Sequence, residues 1–91
     1  MAKAKPIMNQ LEWMASHEMG GTPKVFVNVW NCRARIMVEK DGQYEDVTDQ
    51  IRKGTEMAEE AVYAFGGAIN MSGWYPPTDK ILKALKRKGL I

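Results

Sequence analysis

The chain has one cysteine, Cys32, and one histidine, His17, among 91 residues. One thiol closes no intrachain disulfide and one imidazole builds no histidine-rich zinc site, so small disulfide-stapled and zinc-organised scaffolds are excluded. A lone thiol fits a reducing, cytoplasmic location. Long apolar runs are also missing: none approaches the roughly 18 residues of a membrane span. After Lys3 and Lys5, the segment 7–19 is broken by Asn9, Gln10, Glu12, Ser16, His17 and Glu18, which leaves no apolar stretch for a secretory leader. Catalytic groupings are equally scarce. Ser16 and His17 are chain neighbours whose side chains diverge on a helix, and Cys32 beside Arg33 has no resolving cysteine. Glu56, Glu59 and Glu60 share a helical flank without further oxygen donors, and Gly66 and Gly67 lack the rest of any phosphate-binding fingerprint. No catalytic residue, metal-ligand set or cofactor is expected, and the chain does not read as an enzyme.

What is present is the balance of an ordinary folded domain, 45% hydrophobic and 26% charged. Residues 1–91 read as a single domain, because two would each fall below the size that sustains a core. The net charge of +2 conceals a segregation. Six basic and three acidic side chains give +3 over residues 1–40; seven acidic against Arg52 and Lys53 give −5 over 41–60; Lys80, Lys83, Lys86, Arg87 and Lys88 give +5 over 80–91. Such poles can pair within one chain, between two copies, or face different partners. A monomer is favoured over a homodimer, since charge alone seldom holds a dimer at physiological ionic strength.

Pro6 and the spacing of Met8, Leu11, Ala15 and Met19 predict an N-terminal helix stopped by Gly20 and Gly21. Residues 24–31 alternate as a strand with Val25, Val27 and Val29 on one face and Phe26, Asn28 and Trp30 on the other; 33–40 do the same with Ala34, Ile36 and Val38 opposed to Arg33, Arg35, Met37 and Glu39. Asp41-Gly42 is a preferred type I′ pair and predicts an antiparallel return over 43–47. A turn at Asn31-Cys32 would set Val29, Val27 and Val25 against Ala34, Ile36 and Val38, although cysteine is poor at positive φ and one bent strand from 25 to 40 is the alternative. Thr48 or Thr55 is expected to cap a helix reaching Phe65, buried along Ile51, Ala58, Ala61, Val62 and Phe65. A short strand at Ile69 is allowed for, and Thr78 caps a last helix over 79–88 with Ile81, Leu82 and Leu85 inward. The expected fold is α+β: a three-stranded antiparallel meander, with room for a fourth short strand, and about three helices in the order α-β-β-β-α-α.

The face opposite the valines gathers Phe26, Trp30, Arg33, Arg35 and Tyr44, which are the expected partner-binding residues. Aromatics interleaved with arginines suit a protein hot spot and equally the bases and phosphates of a nucleic acid. The competing arrangement lays the N-terminal helix across this face, with the arginines reaching its rim. Lys80, Lys83, Lys86, Arg87 and Lys88 are candidate phosphate contacts on the last helix. Trp74 and Tyr75, before two prolines, read either as a rigid recognition corner or as the cap of a core edge. The expected function is binding without catalysis, by covering a surface on a larger protein or nucleoprotein complex; direct nucleic-acid binding through the aromatic face and the basic helix is the alternative. No family resemblance is carried by the residues; the size, the single domain and the absence of catalytic groups are compatible with small phage-encoded proteins that disable a host complex, inhibitors of CRISPR effectors among them, an association by character and not by motif.

Overall fold

The computed structural model describes residues 23–91. The predicted N-terminal helix, and with it the helix that would lie across the aromatic face, falls outside the described residues. Strands β1 (Val25–Trp30), β2 (Arg33–Lys40) and β3 (Gln43–Asp46) form the expected meander. A 3-10 turn at Thr48–Gln50 leads into helix α1 (Gly54–Ala64), then strand β4 (Gly73–Tyr75) and helix α2 (Asp79–Arg87). The sheet is antiparallel with strand order β3-β2-β1-β4, so the fold is α+β.

Both hairpins follow the sequence pattern. Asn31 and Cys32 have φ of 52° and 58°, and Asp41 and Gly42 have φ of 53° and 83°, the two successive left-handed residues of a type I′ turn. These turns fix the register: Val25, Val27 and Val29 face Val38, Ile36 and Ala34, and the Val47 N–H donates to the Ile36 carbonyl at 3.0 Å. Every one of these apolar side chains therefore reaches the same side of the sheet. α1 closes over it with Met57, Ala58, Ala61 and Val62, and α2 with Ile81 and Leu85, all in one buried cluster. Full burial of an Ile or Leu contributes about 1.5–3 kcal/mol, so Ile36, Ile81 and Leu85, each 0% exposed, are main supports of the helix-on-sheet packing.

Two local expectations need correction. The fourth strand is not at Ile69, which lies in a turn, but at Gly73–Tyr75, where pairing of Tyr75 with Val27 carries the ring into the core. Neither threonine caps α1: Lys53, at φ 58°, occupies its N-cap without a side-chain bond, and Thr48 turns inward instead. Its Oγ1 accepts from the Ile36 N–H at 2.7 Å and donates to Asp46 Oδ1 at 2.7 Å, so a side chain completes the β2 ladder where β3 departs. Gly54 starts α1 and lies close against the Thr48 carbonyl. The described residues hold two α-helices, and the last is capped as expected, with Thr78 Oγ1 accepting from the Ile81 N–H at 3.3 Å.

Candidate recognition face

Alternation along the strands sends Phe26, Asn28 and Trp30 of β1, Arg33, Arg35 and Met37 of β2, Tyr44 and Asp46 of β3 and Trp74 of β4 to the side of the sheet away from α1 and α2. The neighbours each residue finds there divide this face in two.

Toward β3, side chains are occupied by one another. Phe26 is only 3% exposed: its ring stacks on Trp74 at 4.2 Å and meets the edge of Tyr44 at 4.8 Å. It supports the face from beneath and offers no surface to a partner. Tyr44 is fixed as well, its hydroxyl donating to the Pro23 carbonyl at 2.7 Å. The Arg35 guanidinium is held between two carboxylates, Nε on Asp46 Oδ2 at 2.8 Å and Nη2 on Asp49 Oδ2 at 3.0 Å. The hydrogen bond that Arg35 donates to Asp46 is the main cause that raises Arg35 above its ordinary pKa. Burial pushes the Asp46 carboxyl up, but Arg35 and the Thr48 hydroxyl and N–H outweigh it and hold the group below the usual carboxylate value. Arg35 thus ties β2 to the start of the 3-10 turn, and its charge is neutralised within the chain.

The other half, near the Asn31-Cys32 turn, is open. Trp30 is 66% exposed and pairs across the hairpin with Arg33, also exposed. Trp74 stands opposite Asn28 at 42% exposure, a diagonal neighbour of Trp30 on the adjoining strand, but its ring belongs to the occupied cluster, stacked on Phe26 at 4.2 Å and 5.9 Å from Tyr44. No acidic side chain faces outward among β1 and β4 here; Glu39, Asp46 and Asp49 all belong to the β2–β3 side. Of the five expected binding residues, the structure leaves Trp30 and Arg33 accessible, encloses Phe26, and engages Arg35 and Tyr44 internally. Trp74 joins the face. Its signal was the adjacent pair Trp74-Tyr75, since in an extended segment one of two neighbours must point outward, but the pairing with β1 is not written in local sequence.

The basic residues of α2 belong to the opposite layer. Lys80 meets Glu60 of α1 at 3.4 Å, while Lys83, Lys86, Arg87 and Lys88 are exposed and make no ion pair among the described residues. The sheet lies between them and the indoles, so the two do not form one continuous surface. The second hairpin borders an open depression of about 480 Å³ lined by Lys40, Asp41, Gln43, Tyr44 and Glu45, with charges of both signs. Cys32 is exposed at the tip of the first turn. Among the described residues no group of three or more His, Cys, Asp or Glu is placed to hold a metal ion, and no helix is long and apolar enough to cross a membrane. Comparison of the chain with protein-family models, with curated proteins and with solved structures gave no match.

Proposed function

We propose that this is a non-enzymatic binding protein of the cytoplasm that acts by occupying a surface on a larger protein or nucleoprotein complex. The observation that carries the reading is the exposure of Trp30, 66%, on a strand end fixed by a tight turn, with Arg33 directly across from it and Trp74 beside it. Tryptophan and arginine are the residue types that dominate binding energy when a partner desolvates them, and a rigid mount lowers the ordering cost of using them. Its action is stoichiometric, and it works as a monomer: the Lys80–Glu60 bridge joins part of the two charge poles within one chain. Capture of partners from lysate by the wild type and by a Trp30→Ala/Arg33→Ala variant tests the reading. A partner retained at full affinity by a folded double variant would show that this corner is not the contact.

A second reading has its own observation, the four cations Lys83, Lys86, Arg87 and Lys88 of α2 and its C-cap, without an ion pair among the described residues. Through them the protein would bind nucleic-acid phosphates, and affinity for duplex DNA would fall steeply with salt, by about 0.9 in log K per log salt for each phosphate engaged. An oligonucleotide titration with wild type and Lys83→Ala/Arg87→Ala decides it.

A further inference from the structure

We infer that the C-terminal half of α2 holds duplex nucleic acid by its phosphates alone, without reading sequence. The inference rests on the second reading of α2 as a phosphate contact and names the form of nucleic acid and the manner in which it is held. With Ile81 and Leu85 buried, helical spacing turns Lys83, Lys86 and Arg87 outward, while Lys88 stands at the C-cap. All four are exposed and make no ion pair among the described residues. A helix C-terminus attracts cations by itself, because its open carbonyls carry about half a negative charge. Four cations exceed that need severalfold. Glu56, Glu59 and Glu60 belong to α1 and Asp79 to the first turn of α2, and Lys80 already bridges Glu60, so the surplus positive charge is confined to residues 83–88.

Charge complementarity calls for a polyanion, and the helix itself selects which one. The apolar stripe of α2 is committed to the core through Ile81 and Leu85, which leaves none to lay into a bilayer. Lysine is depleted from the desolvated centres of protein interfaces, and Lys83, Lys86 and Lys88 are most of the patch. No aromatic side chain lies on α2 for the bases of a single strand to stack on, whereas a duplex doubles the phosphate density, to one charge per about 1.7 Å of axis. The same placement denies sequence readout. From Lys83 to Lys88 the helix rises about 7.5 Å, roughly two phosphate steps along one strand of a duplex. A groove-reading helix enters the groove, but one side of α2 is packed on the sheet, and Asp79–Arg87 offers no Asn, Gln, Ser or Thr to base edges.

The test is fluorescence anisotropy of short end-labelled duplexes, one A·T-rich, one G·C-rich and one mixed, with the full chain at low and physiological salt. A single strand of equal length and phosphatidylserine vesicles run beside them. Equal affinity for the three duplexes is expected, above that for the single strand and the vesicles; base reading would separate the duplexes by about 5- to 150-fold. The slope of log K on log salt is expected at about −1.8 to −2.7, for two or three phosphates. Lys83→Ala/Arg87→Ala flattens it by about 1.8, while Lys24→Ala/Lys40→Ala, which removes the same charge from exposed positions outside α2, leaves it unchanged. If the double α2 variant perturbs folding, Lys86→Ala decides, with a flattening of about 0.9. A preference among the duplexes above about tenfold, as from Arg87 on guanine, refutes sequence neutrality and leaves the phosphate reading standing. Tighter binding of the single strand refutes the duplex and likewise spares that reading. No duplex binding at low salt, binding by the vesicles alone, or a slope that Lys24→Ala/Lys40→Ala changes and the α2 variants do not, refutes both.

Discussion

Replacing Gly54 by alanine sets helix propensity against packing, and the structure decides which prevails. Propensity alone favours alanine by up to about 1 kcal/mol, less in a first turn. A Cβ on Gly54, however, would overlap the Thr48 carbonyl oxygen and lie 2.9 Å from its carbonyl carbon and 3.2 Å from its Cγ2. The obstacle is backbone, and Thr48 is held at both ends: its carbonyl accepts from the Ile51 N–H at 3.2 Å and its Oγ1 from the Ile36 N–H at 2.7 Å. Overpacking costs about 1–3 kcal/mol, and a shift that leaves the buried Ile36 N–H unpaired costs about 1–3 kcal/mol more. With the propensity gain subtracted, Gly54→Ala destabilises by about 1–5 kcal/mol, against a total of about 5–14 kcal/mol for a chain of this length. A loss near 3 kcal/mol lowers Tm by about 12–24 °C. Urea unfolding followed by far-ultraviolet circular dichroism measures it, with the midpoint shifted and the slope unchanged. A Gly54→Ala protein as stable as wild type, or more stable, would refute the claim that α1 is locked to the 3-10 turn at this contact.

The Asp46 carboxyl is held below its usual value, so its ionised form adds stability that is present above the unfolded pKa of about 4 and lost as pH falls through the folded one. The stability difference between wild type and Asp46→Asn therefore shrinks from about pH 5 toward pH 2, and a difference constant over that range would contradict the Arg35–Asp46 pairing. Phe26→Ala should cost about 3–5 kcal/mol, as for a buried ring, whereas Trp30→Ala stays within about 0.5 kcal/mol; equal losses in thermal melts would mean the face is divided wrongly. Cys32→Gly converts a strained turn, with Cys32 at φ 58°, to the Asn-Gly pair preferred in type I′ and should raise Tm by a few degrees. A lowered Tm would show that Cys32 makes contacts the turn depends on.

The fold was most legible where a turn and an alternation agreed. Asp41-Gly42 names its own geometry for the β2–β3 return, and between β1 and β2 a one-residue slip would separate the valines from the Ala34, Ile36, Val38 set, so the alternation excludes it. Even Asn31-Cys32 was recoverable this way, because the register compensated for a cysteine poor in the left-handed region. Legibility fell where a residue took a long-range partner in place of a local one. Thr48 has the composition of an N-cap, but the Ile36 N–H, left open where β3 ends, claims its hydroxyl. β4 was misplaced for the same reason: three residues carry too little periodicity, and what makes Gly73–Tyr75 a strand is the free edge of β1.

The candidate site shows that limit most clearly. Sequence alternation assigned Phe26, Trp30, Arg33 and Arg35 to one face, and the structure keeps all four there. Nothing in that alternation distinguishes Phe26 from Trp30, two residues of one type class on one strand, or Arg33 from Arg35 on the next. The distinction is made across the sheet: Phe26 lies where Tyr44 and Trp74 converge, and Arg35 lies where the β3 exit brings Asp46 and Asp49 within 3.0 Å. Trp30 and Arg33 flank the turn, beyond the reach of β3. The fold thus encloses an aromatic ring and neutralises an arginine at one end of the face while leaving an indole and a guanidinium side by side at the other. An uncovered indole carries a solvation cost that covering Phe26 avoids, and a partner that stacks on it removes that cost; this is the physical ground for placing recognition at the turn and not at the centre of the sheet.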